Sequence, residues 1–324
     1  MDIKRTILIV ALAVVSYVMV LKWNQDYGQA ALPTQNVAAS STTAPALPDT
    51  VSGNNASNSA DVPSANTDTS TPTETPVAAS KDLIHVKTDV LDIAIDPQGG
   101  DIAQLRLPLY PRRQDHPDVP FQLFDNGNER TYLAQSGLTG VDGPDARPSG
   151  RPVFSAEKKT FELAPGQDQL VVDLKFSENG INYIKRFTLK RGLYDVQVSY
   201  LIDNESSKPW SGNLFAQLKR DASSDPSSST ATGTATYLGA ALWTSAEPYK
   251  KVSMKDIDKA QLKETVQGGW VAWLQHYFVT AWIPQKGDNN VVQTRKDNQG
   301  NYIIGFTGPT LTVEPGKTAE TSAT

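Results

Sequence analysis

Polar and apolar residues fall into three regimes along this chain. From Thr6 to Leu21, sixteen residues pass without a charge. From Asn24 to Ser80, large apolar residues almost vanish, and Pro33, Pro45, Pro48, Pro63, Pro72 and Pro76 punctuate a run of Ala, Ser, Thr, Asn and Asp. From Lys81 onward apolar residues recur at every second position. Leu83, Val86, Val90, Leu91, Ile93 and Ile95 begin this pattern, Pro97-Gln98-Gly99-Gly100 turns it, and Ile102, Leu105 and Leu107 follow. Period two is the mark of a half-buried strand. Further runs of this kind are Phe121–Phe124, Thr131–Ala134, Thr160–Leu163, Leu170–Phe176, Asn182–Leu189, Tyr194–Ile202, Leu214–Leu218, Ala241–Thr244, Val291–Arg295, Tyr302–Phe306 and Thr310–Val313.

The turns between them are explicit. Glu178-Asn179-Gly180 and Lys190-Arg191-Gly192 divide Leu170 to Ile202 into a three-strand antiparallel meander. Many short strands spaced by roughly 8 to 12 residues predict an all-β sandwich or barrel. About 240 residues in one such series predict two broad antiparallel sheets face to face. Two stretches break the pattern. Asp221 to Ala235 has no apolar anchor and reads as a loop, and Asp256 to Glu264, with Ile257, Ala260 and Leu262, reads as one or two helical turns. The densest apolar stretch runs from Gly268 to Pro284. Trp270, Trp273, Leu274 and Tyr277 stand at helical spacing, while Val279, Ala281 and Ile283 alternate, so a short helix leading into a buried strand is expected.

At about 1.5 Å per residue, a helix over the first uncharged run reaches the short end of a bilayer's hydrocarbon thickness. It is either a cleaved signal peptide or a retained anchor. Gly28-Gln29-Ala30-Ala31 offers a cleavage site, but several polar residues separate it from the apolar run. Lys4 and Arg5 keep the N-terminus in the cytoplasm, and Trp23 and Tyr27 suit the opposite interface. The organisation expected is a cytoplasmic N-terminus (1–5), a transmembrane helix (6–23), a disordered linker (24–80) and a folded domain (81–324). The linker cannot offset the entropy of ordering; as a random coil it spans about 40 Å.

Charge and candidate chemistry narrow the function. The net charge of -5 excludes a nucleic-acid partner that needs clustered Lys and Arg. With no cysteine there is no disulfide, thiolate zinc site or cysteine nucleophile. The three histidines, His85, His116 and His276, lie far apart and have no metal-ligand spacing. His276 is expected as a core histidine. Asp96 and Asp101 flank a turn and fit turn stabilisation better than a paired-carboxylate site. Gln135 to Gly140 and Asp142-Gly143-Pro144-Asp145 read as tight loops. No catalytic, cofactor-binding or metal residue is assigned.

Four motifs in order carry a resemblance: Met1-Asp2 with Arg5 and an apolar run; Val86-Lys87-Thr88-Asp89-Val90-Leu91-Asp92; Gln135 to Gly140 with Asp142-Gly143-Pro144-Asp145; and Gly268 to Pro284. Together they resemble the YidC membrane protein insertases of Gram-negative bacteria, over essentially the whole chain. The resemblance implies a β-supersandwich akin to mutarotase-like folds, lying in the periplasm behind a retained first membrane helix in the bacterial inner membrane. It implies a non-enzymatic role in inserting and folding inner-membrane client proteins, alone or with the Sec translocon and its accessory subunits, without cofactors. It also implies that the family pattern continues past Thr324 as a strand and then as five membrane helices that do the inserting; no part of that bundle is in this sequence. The competing expectation is a periplasmic carbohydrate-binding or mutarotase-like protein, which needs a His and a carboxylate converging in a cleft.

Overall fold

The period-two stretches become strands almost one for one. The computed structural model describes residues 16–19, 62–63, 82–113, 115–127, 130–226 and 237–324, and the chain divides into two compact units, Met1–Asn54 and Asn55–Thr324. In the first, residues 16–19 are helical and Tyr17, Val18 and Met19 are exposed. The rest of the expected membrane helix, and all of the expected linker except 62–63, lie outside the described residues. Among the described residues no helix is long and apolar enough to cross a membrane.

The second unit opens with β1 (Ile84–Lys87), β2 (Asp92–Asp96), β3 (Asp101–Arg113), β4 (His116–Asn126) and β5 (Thr131–Thr139). A 3₁₀ turn at Pro144–Ala146 leads to β6 (Ser155–Ala156), β7 (Thr160–Glu162), β8 (Gln169–Glu178), β9 (Ile181–Lys190), β10 (Val196–Asn204) and β11 (Trp210–Arg220). Then come β12 (Gly239–Leu242), β13 (Lys250–Val252), helix α1 (Met254–Lys259), β14 (Lys263–Gln267), β15 (Val271–Leu274) and β16 (Val279–Trp282). The chain closes with β17 (Asn289–Lys296), β18 (Tyr302–Val313) and β19 (Lys317–Ala323).

Ten strands form one sheet in the order β14-β17-β18-β11-β5-β4-β3-β2-β1-β7. Five form a second, β19-β10-β9-β8-β6, and four a third, β13-β12-β15-β16. All pairings are antiparallel except β1 with β7. The two smaller sheets meet where Pro284 bridges Ala323 and where Ile283 and Thr324 exchange backbone hydrogen bonds. The expected two face-to-face sheets are therefore a supersandwich, with one broad sheet and a second layer shared between two smaller ones. The meander β8-β9-β10 is as expected. In β9 the inward phase is Ile181, Tyr183, Lys185, Phe187 and Leu189, all buried. Four of these are apolar, and together they cover the large sheet.

Three expectations need correction. Gln135 to Thr139 is not a loop but the interior of β5, paired with β11 on one side; only the residues from Gly140 turn. Trp270 to Tyr277 is not helical. Gly268 and Gly269 sit at φ of +63° and +83° and make the turn, after which Trp273 enters β15 with 1% of its surface exposed. The apparent helical spacing of Trp270 and Tyr277 comes from the turns on either side of that strand. Nor is the following strand buried: β16 is the edge of its sheet, with Val279 62% and Tyr277 68% exposed. The helical turns expected near Asp256 are present as α1, whose Ser253 and Asp256 form a reciprocal capping box. In the loop expected from Asp221, residues 221–226 carry no strand, and 227–236 lie outside the described residues.

Candidate functional site

Two features outside ordinary apolar packing stand out: a buried ionic cluster and an open apolar trench. The cluster forms where the Pro97–Gly100 turn meets β5, β9 and the loop after the 3₁₀ turn. Gly99 and Gly100 adopt φ of +74° and +66°, which glycine reaches without strain. A Cβ on Gly99 would lie 2.3 Å from the Arg151 guanidinium carbon, and one on Gly100 would lie 2.8 Å from Cδ of Lys185, so both positions need glycine for space as well. Arg151 donates through Nε to Asp145 (2.7 Å), through Nη1 to Asp101, and through Nη2 to the Ser136 carbonyl (2.8 Å). Lys185 Nζ donates to the carbonyls of Gly99 (2.9 Å) and Ser136 (3.0 Å). Gln135 Nε2 donates to Asp101, Gln217 Nε2 to Gln135, and Arg295 Nη2 to Gln217, each at 2.8 Å. A polar line thus crosses the large sheet from β3 to β17.

Burial governs the protonation of this cluster. Lys185 has no exposed surface, and desolvation pulls its pKa down to about 7 against the attraction of Asp101. Desolvation likewise raises Asp101, opposed by Arg151 and Lys185. An acid–amine pair of this kind recurs in catalytic sites. Here both groups are enclosed, Asp101 being 5% exposed, so no substrate reaches them. The cluster is a buried, hydrogen-bonded ion network joining the two layers.

The trench is a cavity of about 390 Å³. It is lined by Leu105 and Leu107 of β3 and Leu123 of β4 from the large sheet, by Val196 and Val198 of β10 from the second layer, and by residues 277 to 283. Aromatic contacts join its rim. Phe278 stacks on Phe121 with centroids 4.5 Å apart and meets Tyr110 edge-on at 5.7 Å, and Tyr110 lies 6.0 Å from Tyr194. Tyr110, Tyr194, Tyr277, Val279 and Ile283 are all at least 43% exposed, an apolar surface suited to an apolar partner rather than to solvent. Among the described residues, Asp195 brings the one carboxylate side chain to its lining.

The sequence-nominated groups do not converge. Asp96 accepts from the Gln98 amide at 2.9 Å and stabilises its turn, as expected, while Asp101 joins the buried cluster instead. His85 is exposed on β1, and His116 is exposed beside Asp115 at the tip of the β3–β4 hairpin. His276 is half-buried, not a core residue; its backbone amide donates to Asp225 at 2.6 Å, and its ring lies edge-on to Tyr277. No histidine lines the trench. Among the described residues no group of three or more His, Asp or Glu is placed to hold a metal. Sequence reasoning missed Lys185, Arg151 and Gln135. Lys185 carried a signal, since it sits in the inward phase of the β9 alternation.

Residues 83–324 match the YidC periplasmic domain family, and the chain belongs to that family. It is 84% identical over 324 residues to the membrane protein insertase YidC of Pseudomonas fluorescens (strain SBW25), covering all of this chain and 58% of that protein. It is 78% identical to the protein of the same name from Pseudomonas syringae pv. syringae, again over all of this chain and 58% of the relative. The chain thus spans a little over half the length of the curated relatives it matches. Among solved structures, a galactose mutarotase-like protein from Lactobacillus casei is similar at TM-score 0.49 and 8% identity, over 74% of this chain and 98% of that one. A galactose mutarotase related enzyme from Lactobacillus acidophilus is similar at 0.45 and 10%, over 74% and 95%.

Proposed function

We propose that this chain supplies the membrane-tethered periplasmic part of an insertase that helps inner-membrane proteins enter and fold in the bilayer. The 84% identity to a protein named for that activity, over every residue of this chain, is the observation that carries the reading. On this reading the chain comprises a cytoplasmic N-terminus (1–5), an anchor helix (6–23), a linker (24–80) and the β-supersandwich (81–324). The role is binding rather than catalysis, in keeping with a trench walled by apolar and aromatic side chains and with an ion cluster that is sealed from substrate. Its partners are client segments and, as a finer proposal, the Sec translocon with its accessory subunits. The carbohydrate reading has no histidine–carboxylate pair in the trench to support it.

Two strains depleted of their own insertase test the proposal. In one, residues 1–324 replace the matching 58% of the P. fluorescens protein; growth and insertion of a reporter membrane protein are expected to be restored. In the other, residues 1–324 are supplied alone, and no rescue is expected. Failure of the chimera, with normal accumulation in the membrane, contradicts the assignment.

A further inference from the structure

Part of the expected linker belongs to the fold. The second compact unit begins at Asn55, well ahead of β1, and Pro63 is buried, with Val62 half-buried beside it. The Pro63 carbonyl accepts a hydrogen bond from Thr139 Oγ1 at 2.9 Å, across 76 positions of sequence. Thr139 is the last residue of β5 and is 1% exposed. A hydroxyl buried to that degree needs a partner within the protein, and Pro63 supplies it.

The place of Thr139 in the sheet shows which surface is contacted. Tyr132, Ala134 and Leu138 belong to the core, so by alternation Gln135 and Thr139 face the other side of the ten-stranded sheet. Leu133 and, on neighbouring strands, Phe215 and Ile303 share that outer phase; each is at most 5% exposed yet stands outside the main core. The strand end is held in place. Gly140 turns the chain at φ of +102°. The Asp142 amide then donates to the Ser211 carbonyl (3.0 Å), the Ser211 amide to the Asp142 carboxylate (2.8 Å), and Trp210 Nε1 to the Asp142 carbonyl (3.1 Å). These bonds pin the turn after Thr139 to the start of β11. The incoming segment is stiff as well. Proline fixes its own φ and biases Val62 toward extended backbone, so little conformational entropy is lost on docking.

We infer that the outer face of the large sheet at Thr139 is a docking site for the chain's own Val62–Pro63 segment. The segment is covalently joined to the domain, so its effective concentration is of the order of millimolar, and a contact too weak to hold a free peptide fills the site. Docking divides the tether. The span that can pay out ends at Val62 rather than at Lys81, and it leaves the domain beside β5 rather than beside β1. This inference does not depend on the insertase reading.

Double electron–electron resonance on residues 1–324 in detergent tests it. The chain has no cysteine, so one nitroxide goes on Asp61→Cys and one on Val141→Cys. Each lies two residues from the contact, within about 7 Å of it along the chain, and Val62, Pro63 and Thr139 stay in place. A single narrow distribution of short distances is expected, unchanged on dilution with unlabelled protein. Thr139→Val keeps the side chain's shape and removes the donor; Pro63→Gly frees the segment and leaves every strand intact. Each is expected to widen the distribution at least about twofold, toward the roughly 25 Å spread of a random coil running from Asp61 to β1. A broad distribution before either substitution overturns the inference. So does a narrow one that neither substitution widens, since something other than this contact then holds the segment. A peak that disappears on dilution makes a second copy the occupant and also overturns it.

Discussion

Replacing Lys185 with Met separates the charge of the buried cluster from its packing. Desolvation holds the folded amine at about 7, against 10.5 in the unfolded chain. Between those values the unfolded chain carries a proton that the folded one lacks, so stability rises with pH. Three and a half units at about 1.4 kcal/mol each make this one group responsible for roughly 5 kcal/mol across the window, and at most about 1.4 kcal/mol per pH unit. Met fills a similar volume but removes the two Nζ hydrogen bonds to the Gly99 and Ser136 carbonyls, which keep Arg151 Nη2 as a donor at 3.3 and 2.8 Å, so the loss is about 1 kcal/mol each. The variant should therefore be less stable than wild type at pH 9 and should recover relative to it toward pH 6, where wild type bears a buried charge. Urea denaturation of residues 82–324 from pH 6 to 9.5 reads both profiles. The upper limit avoids Tyr132 and Tyr183, whose pKa values burial pushes up to about 12 and which reverse the slope above pH 10. Parallel profiles for wild type and Lys185→Met from pH 7 to 9.5 would refute the reasoning.

Other substitutions test the packing. Trp273→Ala removes a ring that is 1% exposed and should cost roughly 3 to 5 kcal/mol; a thermal midpoint lowered by less than about 2 °C contradicts its burial. Gly137→Ala places a Cβ 2.5 Å from Asp145 Cγ and 2.6 Å from the Phe215 ring, and should destabilise by about 1–3 kcal/mol in a urea titration. Ser253→Ala removes the cap of α1 and should cost about 1 kcal/mol, with Ser253→Asp recovering most of it. Arg151→Met strands the buried carboxylates of Asp101 and Asp145 and should cost about 3–5 kcal/mol, as much as Trp273→Ala.

The strands were legible because one face of each is buried and the other is not. The meander from Gln169 to Asn204 alternates so regularly that its two turns and three strands follow from residue type alone. Where both faces are covered, or neither is, the pattern fails. Gln135 and Ser136 are buried polar residues in a central strand, so the half of β5 from Gln135 looked like a loop until Asp101 and Tyr200 supplied their partners. The β3–β4 hairpin carries Pro108, Pro111, Pro117 and Pro120, which have no amide to donate, and the pairing there is irregular, with register shifts. The trench joins residues from β3, β4, β10 and β16, and no local spacing encodes that meeting. The ion cluster was half-legible: a lysine in the inward phase of β9 was visible, but not the glycine turn that accepts its hydrogen bond.

The central claim, a folded domain held on the periplasmic face of the inner membrane, is tested most directly by where single thiols can be reached. The chain has no cysteine, so each introduced residue reports alone. Val141→Cys places a thiol on a side chain that is 90% exposed in the turn after β5, and Asp2→Cys places one at the N-terminus. Spheroplasts treated with a membrane-impermeant maleimide should label Val141→Cys fully before lysis and Asp2→Cys only after it. Labelling of Val141→Cys only after the inner membrane is broken would contradict the account.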